Sequence, residues 1–371
     1  MNIVMLGLSI TSAWGNGHAT TYRALVGGLA ARGHDVLFLE RDAYWYAKNR
    51  DLPKPPYCRV GIYQQLDELQ RTYSNAIEQA DLVMLGSYVP DGTAVADLVL
   101  QTAGGCTAFY DIDTPVTLRA LEKDVAQYLA QRQVPEFDLY LSFTGGPTLQ
   151  RLERDLGAKR ARALYCSADT DSYVMDPAAR KEFDLGYLGT FSTDRQPMVD
   201  ELLISPARQW REGRFVMAGA QYPSSVTTSA NVERVVHINP SHHSHFYNRL
   251  RFTLNVTRRD MVEAGFSPSV RLFEAAACGT PIISDDWPGL STILTPGREI
   301  LIARDAREVL SYLRDLPDDE RGRIGMRART RILESHTSRH RAMELEQYVA
   351  EALGSDASTT TTDTGATEKL A

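Results

Sequence analysis

Apolar residues in the first forty positions fall into three blocks. Ile3 to Leu8 is a short, nearly continuous run, which is how a parallel strand buried on both faces reads. Tyr22, Leu25, Val26 and Leu29 then fall at i, i+3, i+4 and i+7, one face of a helix. Gly33 supplies the helix stop, and Val36 to Leu39 gives the next strand. Strand, loop, helix and strand in that order make a βαβ unit.

The alternation continues with predicted strands at Leu82–Leu85, Thr107–Tyr110, Leu139–Phe143 and Ala163–Tyr165. It restarts at Leu185–Leu188, with a helix from Met198 to Leu203 and strands at Phe215–Met217, Val235–Ile238 and Phe252–Val256. A helix from Ser269 to Cys278, strands at Ile282–Ser284 and Ile300–Ile302, and three closing helices (305–315, 318–334, 337–353) complete the pattern. The fold class is therefore α/β, with two doubly wound units facing a cleft. The expected domains are 1–170 and 171–353. The Ser-, Thr- and Gly-rich tail 354–371 is expected to be disordered, for want of apolar residues.

Composition narrows the function. A chain of 371 residues exceeds what one hydrophobic core of about 250–300 residues serves well. The net charge of −7 comes with no basic stripe, so no nucleic-acid partner is expected. No run reaches ~18 uncharged apolar residues, so no integral membrane segment is expected. The opening residues read as a strand rather than a signal peptide. The four cysteines form no CxxC pair and read as reduced thiols of a cytoplasmic protein.

The most informative segment is Ser267-Pro-Ser-Val-Arg-Leu-Phe-Glu-Ala-Ala-Ala-Cys-Gly-Thr-Pro281. Ser269 can cap the helix, and Gly279 and Pro281 end it. Its N-terminus faces the strand carboxyl ends, where open α/β sheets bind ligands. Unpaired N–H groups and the dipole suit a diphosphate. Arg271 in the first turn gains nothing from that dipole, so an anionic ligand would account for it. Glu274, one turn on, can accept hydrogen bonds from ribose hydroxyls. The plain alternative is a capped helix with an exposed Arg271–Glu274 pair.

A second candidate lies in Trp14-Gly-Asn-Gly-His-Ala19. Gly15 and Gly17 let the backbone turn tightly or approach a ligand. His18 stands at the helix start, facing the cleft, where a neutral imidazole could take a proton from an acceptor hydroxyl. Asp113 is the candidate carboxylate to orient it. The alternative is a histidine bonded only to its own helix start.

The run Arg271-Leu-Phe-Glu-Ala-Ala-Ala-Cys-Gly-Thr-Pro-Ile-Ile-Ser284 carries a resemblance. With Gly297-Arg-Glu-Ile-Leu, Ala306-Arg-Glu-Val-Leu and His336-Thr-Ser-Arg-His-Arg341, it resembles the C-terminal half of CgeB-like, spore-maturation type glycosyltransferases. It is also similar to the broader group-1 glycosyltransferases, over residues 185–350. The resemblance implies the GT-B fold and metal-independent transfer from a nucleotide sugar to a glycan or small-molecule acceptor. The donor is then held by the second domain, and the last helix crosses back to the first. It assigns Glu274 to the donor ribose, and Ser269 with the following amides to the diphosphate. Arg195, in Gly189-Thr-Phe-Ser-Thr-Asp-Arg195, would reach the same phosphates. No cofactor and no metal are implied. Gly17-His18 with Leu29-Ala-Ala-Arg-Gly-His-Asp-Val36 is similar to the opening of inverting GT-B enzymes, whose catalytic histidine lies in this loop. Many retaining relatives carry a second Glu eight positions before the ribose Glu; here that position is Phe266.

Other signals point elsewhere. Asp111-Ile-Asp113 looks like the metal-binding DxD of a different glycosyltransferase fold. His242-His-Ser-His245 reads as a cleft loop, with Asn239, His242 and Tyr247 as candidates for the donor base. Arg258-Arg259 faces either the cleft or solvent. Two further functions stay open. One is an NAD(P)-dependent enzyme, from Gly15-Asn-Gly17 and the strand-ending Glu40, although Thr20 stands where a third Gly belongs. The other is a non-catalytic glycan-binding or structural protein on the same fold.

Overall fold

The computed structural model describes residues 1–123 and 125–354. The proposed tail beyond Gly354 lies outside the described residues. Two all-parallel sheets form the molecule. The first holds β1 (Asn2–Leu6), β2 (Asp35–Arg41), β3 (Arg59–Tyr63), β4 (Leu82–Gly86), β5 (Cys106–Asp111), β6 (Leu139–Ser142) and β7 (Ala161–Ala163), ordered 3-2-1-4-5-6-7. The second holds β8 (Phe183–Leu188), β9 (Phe215–Ala218), β10 (Val232–Val235), β11 (Leu250–Asn255), β12 (Ile282–Ser284) and β13 (Leu301–Ile302), ordered 10-9-8-11-12-13.

Both orders reverse direction beside their first strand, and the crevice at such a reversal is where doubly wound sheets bind ligands. In the first sheet Ile3 pairs with Val36 on one side and Leu82 on the other. The loop leaving β1 carries Gly15 to His18, and the loop leaving β8 carries Gly189 to Arg195. Chain order thus delivers both loops to the reversal points of facing sheets.

The central strands β4, β5 and β6 are buried at every residue, as helices on both faces require. The differences from the sequence pattern fall on the outer strands. Edge strand β3 is not legible, because Gly61 interrupts a half-exposed run. Strand β10 lies at Val232–Val235, not Val235–Ile238, and Val236 is 78% exposed. Strand β7 sits two residues before its expected place. An outer strand has one neighbour, so its burial pattern is weak.

The chain returns to its start. The helix Ser338–Ala352 packs on the helix His18–Ala31. Both Arg32 and His34 reach Glu346 at 2.6 Å, and Tyr348 donates to the Ala163 carbonyl at 3.1 Å. The two sheets also meet beside the cleft. The Gly145 N–H donates to the Phe266 carbonyl at 2.9 Å, the Thr144 and Ser267 hydroxyls are 2.9 Å apart, and Arg119 bridges Asp260 at 2.6 Å.

Candidate functional site

A cleft of about 390 Å3 opens between the carboxyl ends of the two sheets, within the size range of small-molecule sites. Gly15, Gly17, His18, Asp113, Arg195, Ser269, Arg271 and Glu274 all line it. Residues up to 259 positions apart in sequence thus line one cleft.

The helix Val270–Ala277 supplies the second-domain wall. Ser269 caps it, its side chain accepting from the Arg271 N–H, and Gly279 ends it at φ +68°, where L side chains are strained. Its three consecutive alanines, all buried, let the helix Asp318–Ser335 pack closely behind it. Ser269, Val270 and Arg271 of the first turn line the cleft, so the positive end of the helix dipole faces it.

Arg271 and Glu274 do not pair with each other; both are buried, at 8% and 2% exposure. Arg271 donates from Nε to the Leu188 carbonyl and from Nη1 to Asn255 Oδ1 (3.0 Å) and Ser269 Oγ (2.9 Å). Arg195 donates to the Thr190 carbonyl at 2.7 Å, while its Nε is buried without a partner. Among the described residues neither guanidinium has a carboxylate within ion-pair distance. Burial lowers the Arg195 pKa; Tyr187 opposes this, and the charges of Arg271 and Arg258 add to it. Two uncompensated cations at a helix N-terminus make a strongly anion-seeking site, because buried charge without a counter-ion costs several kcal/mol.

Glu274 accepts from the Tyr173 hydroxyl at 2.6 Å and the Tyr247 hydroxyl at 3.2 Å. A carboxylate has about four lone-pair sites, so acceptor capacity remains for a ligand. His243 closes this end: its Nε2 is 3.2 Å from the Ile238 carbonyl, which places a proton there, and its Nδ1 is 3.2 Å from the Tyr173 hydroxyl.

On the first-domain wall, Gly15 adopts φ +60°. Gly17 precedes the helix, and the His18 N–H donates to Asn16 Oδ1 at 3.0 Å. His18 Nε2 lies 3.8 Å from Asp113 Oδ2, and its Nδ1 is buried without a partner. The ring of Tyr88 meets the imidazole edge-on at 5.3 Å. Burial pushes the Asp113 carboxyl up, but His18, Arg258 and Tyr88 outweigh it and hold the pKa below the ordinary value.

Asp111 and Asp113 do not converge. Asp111 turns into the first domain, accepting from Tyr140 (2.6 Å) and Thr117 (2.7 Å), and burial raises its pKa to about 6. Only Asp113 lines the cleft. Glu40 is likewise committed: it accepts from the N–H groups of Ile10 (2.7 Å) and Thr11 (3.1 Å) and from the Thr11 hydroxyl. That carboxylate clamps the loop before His18 and does not line the cleft, so the geometry a dinucleotide ribose would need is missing.

At the base end the wall is His237, Ile238, Pro240 and His243 rather than Asn239, His242 and Tyr247. Asn239 caps the Ser241 N–H, and Tyr247 is buried against Glu274. Phe266 stays out of the cleft. At φ +48° its ring fills the space beside Gly146 and Gly289, where an added Cβ at either glycine would come within 2.5 Å. Sequence reasoning did not find Tyr173, which lies in the connection between the sheets, and left Arg258 undecided. Arg258 does line the cleft, with Nη1 3.7 Å from Asp113.

Residues 195–347 match the family described as glycosyl transferase-like. No curated protein sequence matches the chain. Solved structures resemble it over nearly the whole length. Sucrose-phosphate synthase from Thermosynechococcus elongatus superposes with a TM-score of 0.68 at 16% identity, covering 95% of this chain and 99% of that one. HepE from Anabaena, solved with UDP and glucose, gives 0.67 at 11%, covering 95% and 100%. An α-glucosyltransferase solved with UDP-glucose and DNA gives 0.68 at 12%, covering 94% and 98%. The fold is GT-B, and its second half carries a glycosyl transferase-like domain.

Proposed function

We propose that this protein is a group-1 glycosyltransferase, of the CgeB-like type, that moves a sugar from a nucleoside-diphosphate donor to a hydroxyl acceptor without a metal. The observation that carries the reading is the pair Arg195 and Arg271. Both are cations without a carboxylate partner, set at the capped N-terminus of the helix Val270–Ala277 in a cleft of about 390 Å3. Structural relatives solved with UDP or UDP-glucose support a uridine nucleotide.

In this reading Glu274 receives the ribose hydroxyls. The helix amides, Arg195 and Arg271 stabilise the negative charge that grows on the departing diphosphate, in a place where fixed donors need no reorganisation. Those same charges take the part a divalent ion would play. The acceptor lies on the first domain, against His18. Asp113, 3.8 Å from His18 Nε2, is the carboxylate that orients the ring for taking up the acceptor proton. The four free thiols, three of them buried, fit a cytoplasmic reaction. Among the described residues no helix is long and apolar enough to cross a membrane.

The test is a nucleotide-release assay with UDP-, GDP- and dTDP-sugars, each with a panel of glycan and small-molecule acceptors, with and without EDTA. Release from one nucleotide class, unchanged by EDTA and lost in Arg271→Ala, supports the reading. Release abolished by EDTA would overturn metal independence, and no release from any donor would overturn the activity.

A further inference from the structure

The described residues hold three exposed large aromatic side chains: Trp14, Tyr44 and Trp45, at 43%, 69% and 54% exposure. All three lie on two adjoining segments at the rim of the first sheet. Trp14 stands between Ala13 and Gly15, both of which line the cleft. Tyr44 and Trp45 open the short helix Tyr44–Ala47 that follows β2.

The two segments are bonded together. The Ser12 hydroxyl donates to the Asn49 carbonyl (2.7 Å), the Ala13 N–H to Asp51 (2.8 Å), and the Leu52 N–H to the Thr11 carbonyl (3.0 Å). Asn49 Nδ2 holds the Trp45 carbonyl at 2.7 Å. Behind them Arg23 makes a two-pronged contact with Asp51 and donates to the Ile10 carbonyl. The rings are therefore displayed by a fixed frame that costs little further ordering on binding.

Exposed aromatic surface carried by a rigid frame next to a reactive cleft marks a binding surface. We propose that Trp14, Tyr44 and Trp45 form an acceptor platform for the sugar rings of an uncharged carbohydrate chain. The proposal rests on the transferase reading and names its acceptor class. A sugar ring has an apolar face of C–H groups that packs on the electron-rich face of an aromatic ring, while its hydroxyls stay in water. Local charge excludes a polyanion. Arg41 is paired with Asp91, Arg50 with Asp42 and Arg23 with Asp51, and Lys48 lies 4.2 Å over the Tyr44 ring. A phosphate backbone is held by unpaired Lys and Arg; the three arginines are paired, and Lys48, bonded to the Tyr44 hydroxyl, is a single charge against a chain of phosphates. The platform continues into the cleft through Gly15 to His18, so the end of a stacked chain reaches the imidazole.

The experiment is calorimetry with maltohexaose, cellohexaose and chitohexaose, titrated into the full chain saturated with UDP. A UDP titration of each protein runs in parallel. At least one oligosaccharide binds, Trp14→Ala and Trp45→Ala each weaken it about tenfold, and Trp14→Tyr recovers most of the loss. No binding by any of the three, or equal binding to both alanine variants, overturns the platform. So does a 13-mer DNA duplex that binds wild type and loses affinity in the same variants. UDP binding without oligosaccharide binding sinks the platform alone. Oligosaccharide binding without UDP binding sinks the donor reading alone.

Discussion

Asp113 Oδ2 stands 3.8 Å from His18 Nε2 of its own domain and 3.7 Å from Arg258 Nη1 of the other. One carboxylate oxygen therefore serves both walls of the cleft. Arg258 is in turn 3.6 Å from Asp194, in the loop after β8 that carries Arg195. The proposed acceptor side and the anion site are joined by this short line of charges.

Replacing Asp113 with Asn keeps the size of the side chain but removes the negative charge 3.8 Å from His18 Nε2. Turnover should fall about 100- to 10,000-fold, with the donor KM little changed. Steady-state kinetics separate the two constants. Equal losses in kcat for Asp113→Asn and His18→Ala, with no further loss in the double variant, would show one unit.

Arg195→Ala and Arg271→Ala should each weaken UDP by about ten- to a hundredfold, the range of hydrogen bonds to a charged group. Uridine, which has no phosphate, should bind each variant about as it binds wild type. Calorimetry with both ligands checks this. A parallel loss for uridine would mean that the arginines hold the fold of the cleft rather than the diphosphate.

How much of this is legible in the sequence depends on how local the cause is. The helix Val270–Ala277 is written in its own residues: a serine cap, a glycine stop at φ +68° and a proline two positions on. The βαβ opening is written in a buried run and a 3.6-residue stripe. Tyr173 is not, because its partner Glu274 is 101 residues away and nothing near Tyr173 marks it as a donor. The same holds for Glu40. Its place at a strand end resembles a ribose-binding acid, and only the tertiary contact with Ile10 and Thr11 shows that its oxygens are already used. Phe266 reads as a lost carboxylate in sequence; in space its ring fills the room left by Gly146 and Gly289.

Glu40→Ala should destabilise the protein by about 3 kcal/mol, because it leaves two buried N–H groups and a hydroxyl without their acceptor. Urea unfolding measures the loss. NAD should leave the melting temperature of the wild type unchanged. A dinucleotide that stabilises the chain, with the effect lost in Glu40→Ala, would restore the oxidoreductase reading.

His336 sits where the chain crosses back, its carbonyl accepting from the Ala168 N–H at 3.0 Å. Burial, with the charges of Arg341 and Arg331, lowers its pKa to about 3. Between pH 6.5 and about 3 the unfolded chain binds a proton that the folded one refuses. Stability from the neutral ring is therefore present above pH 6.5 and falls as pH drops through that window. Asp111, raised to about 6, works in the opposite sense over part of the range, so wild type must be compared with His336→Asn. Melting curves at pH 7 and pH 5 should show wild type losing more stability than the variant. An equal loss in both would contradict the assignment.

The central claim is that the second-domain wall is a nucleotide-diphosphate site with Glu274 on the ribose. It is tested most directly by titrating UDP into wild type and Glu274→Gln in the presence of EDTA, with 2′-deoxy-UDP as the second ligand. The account predicts metal-free binding to wild type and a preference for UDP over its 2′-deoxy form. Glu274→Gln should show weaker UDP binding and little of that preference. Wild type that fails to bind UDP, or a variant with unchanged affinity and preference, would contradict it.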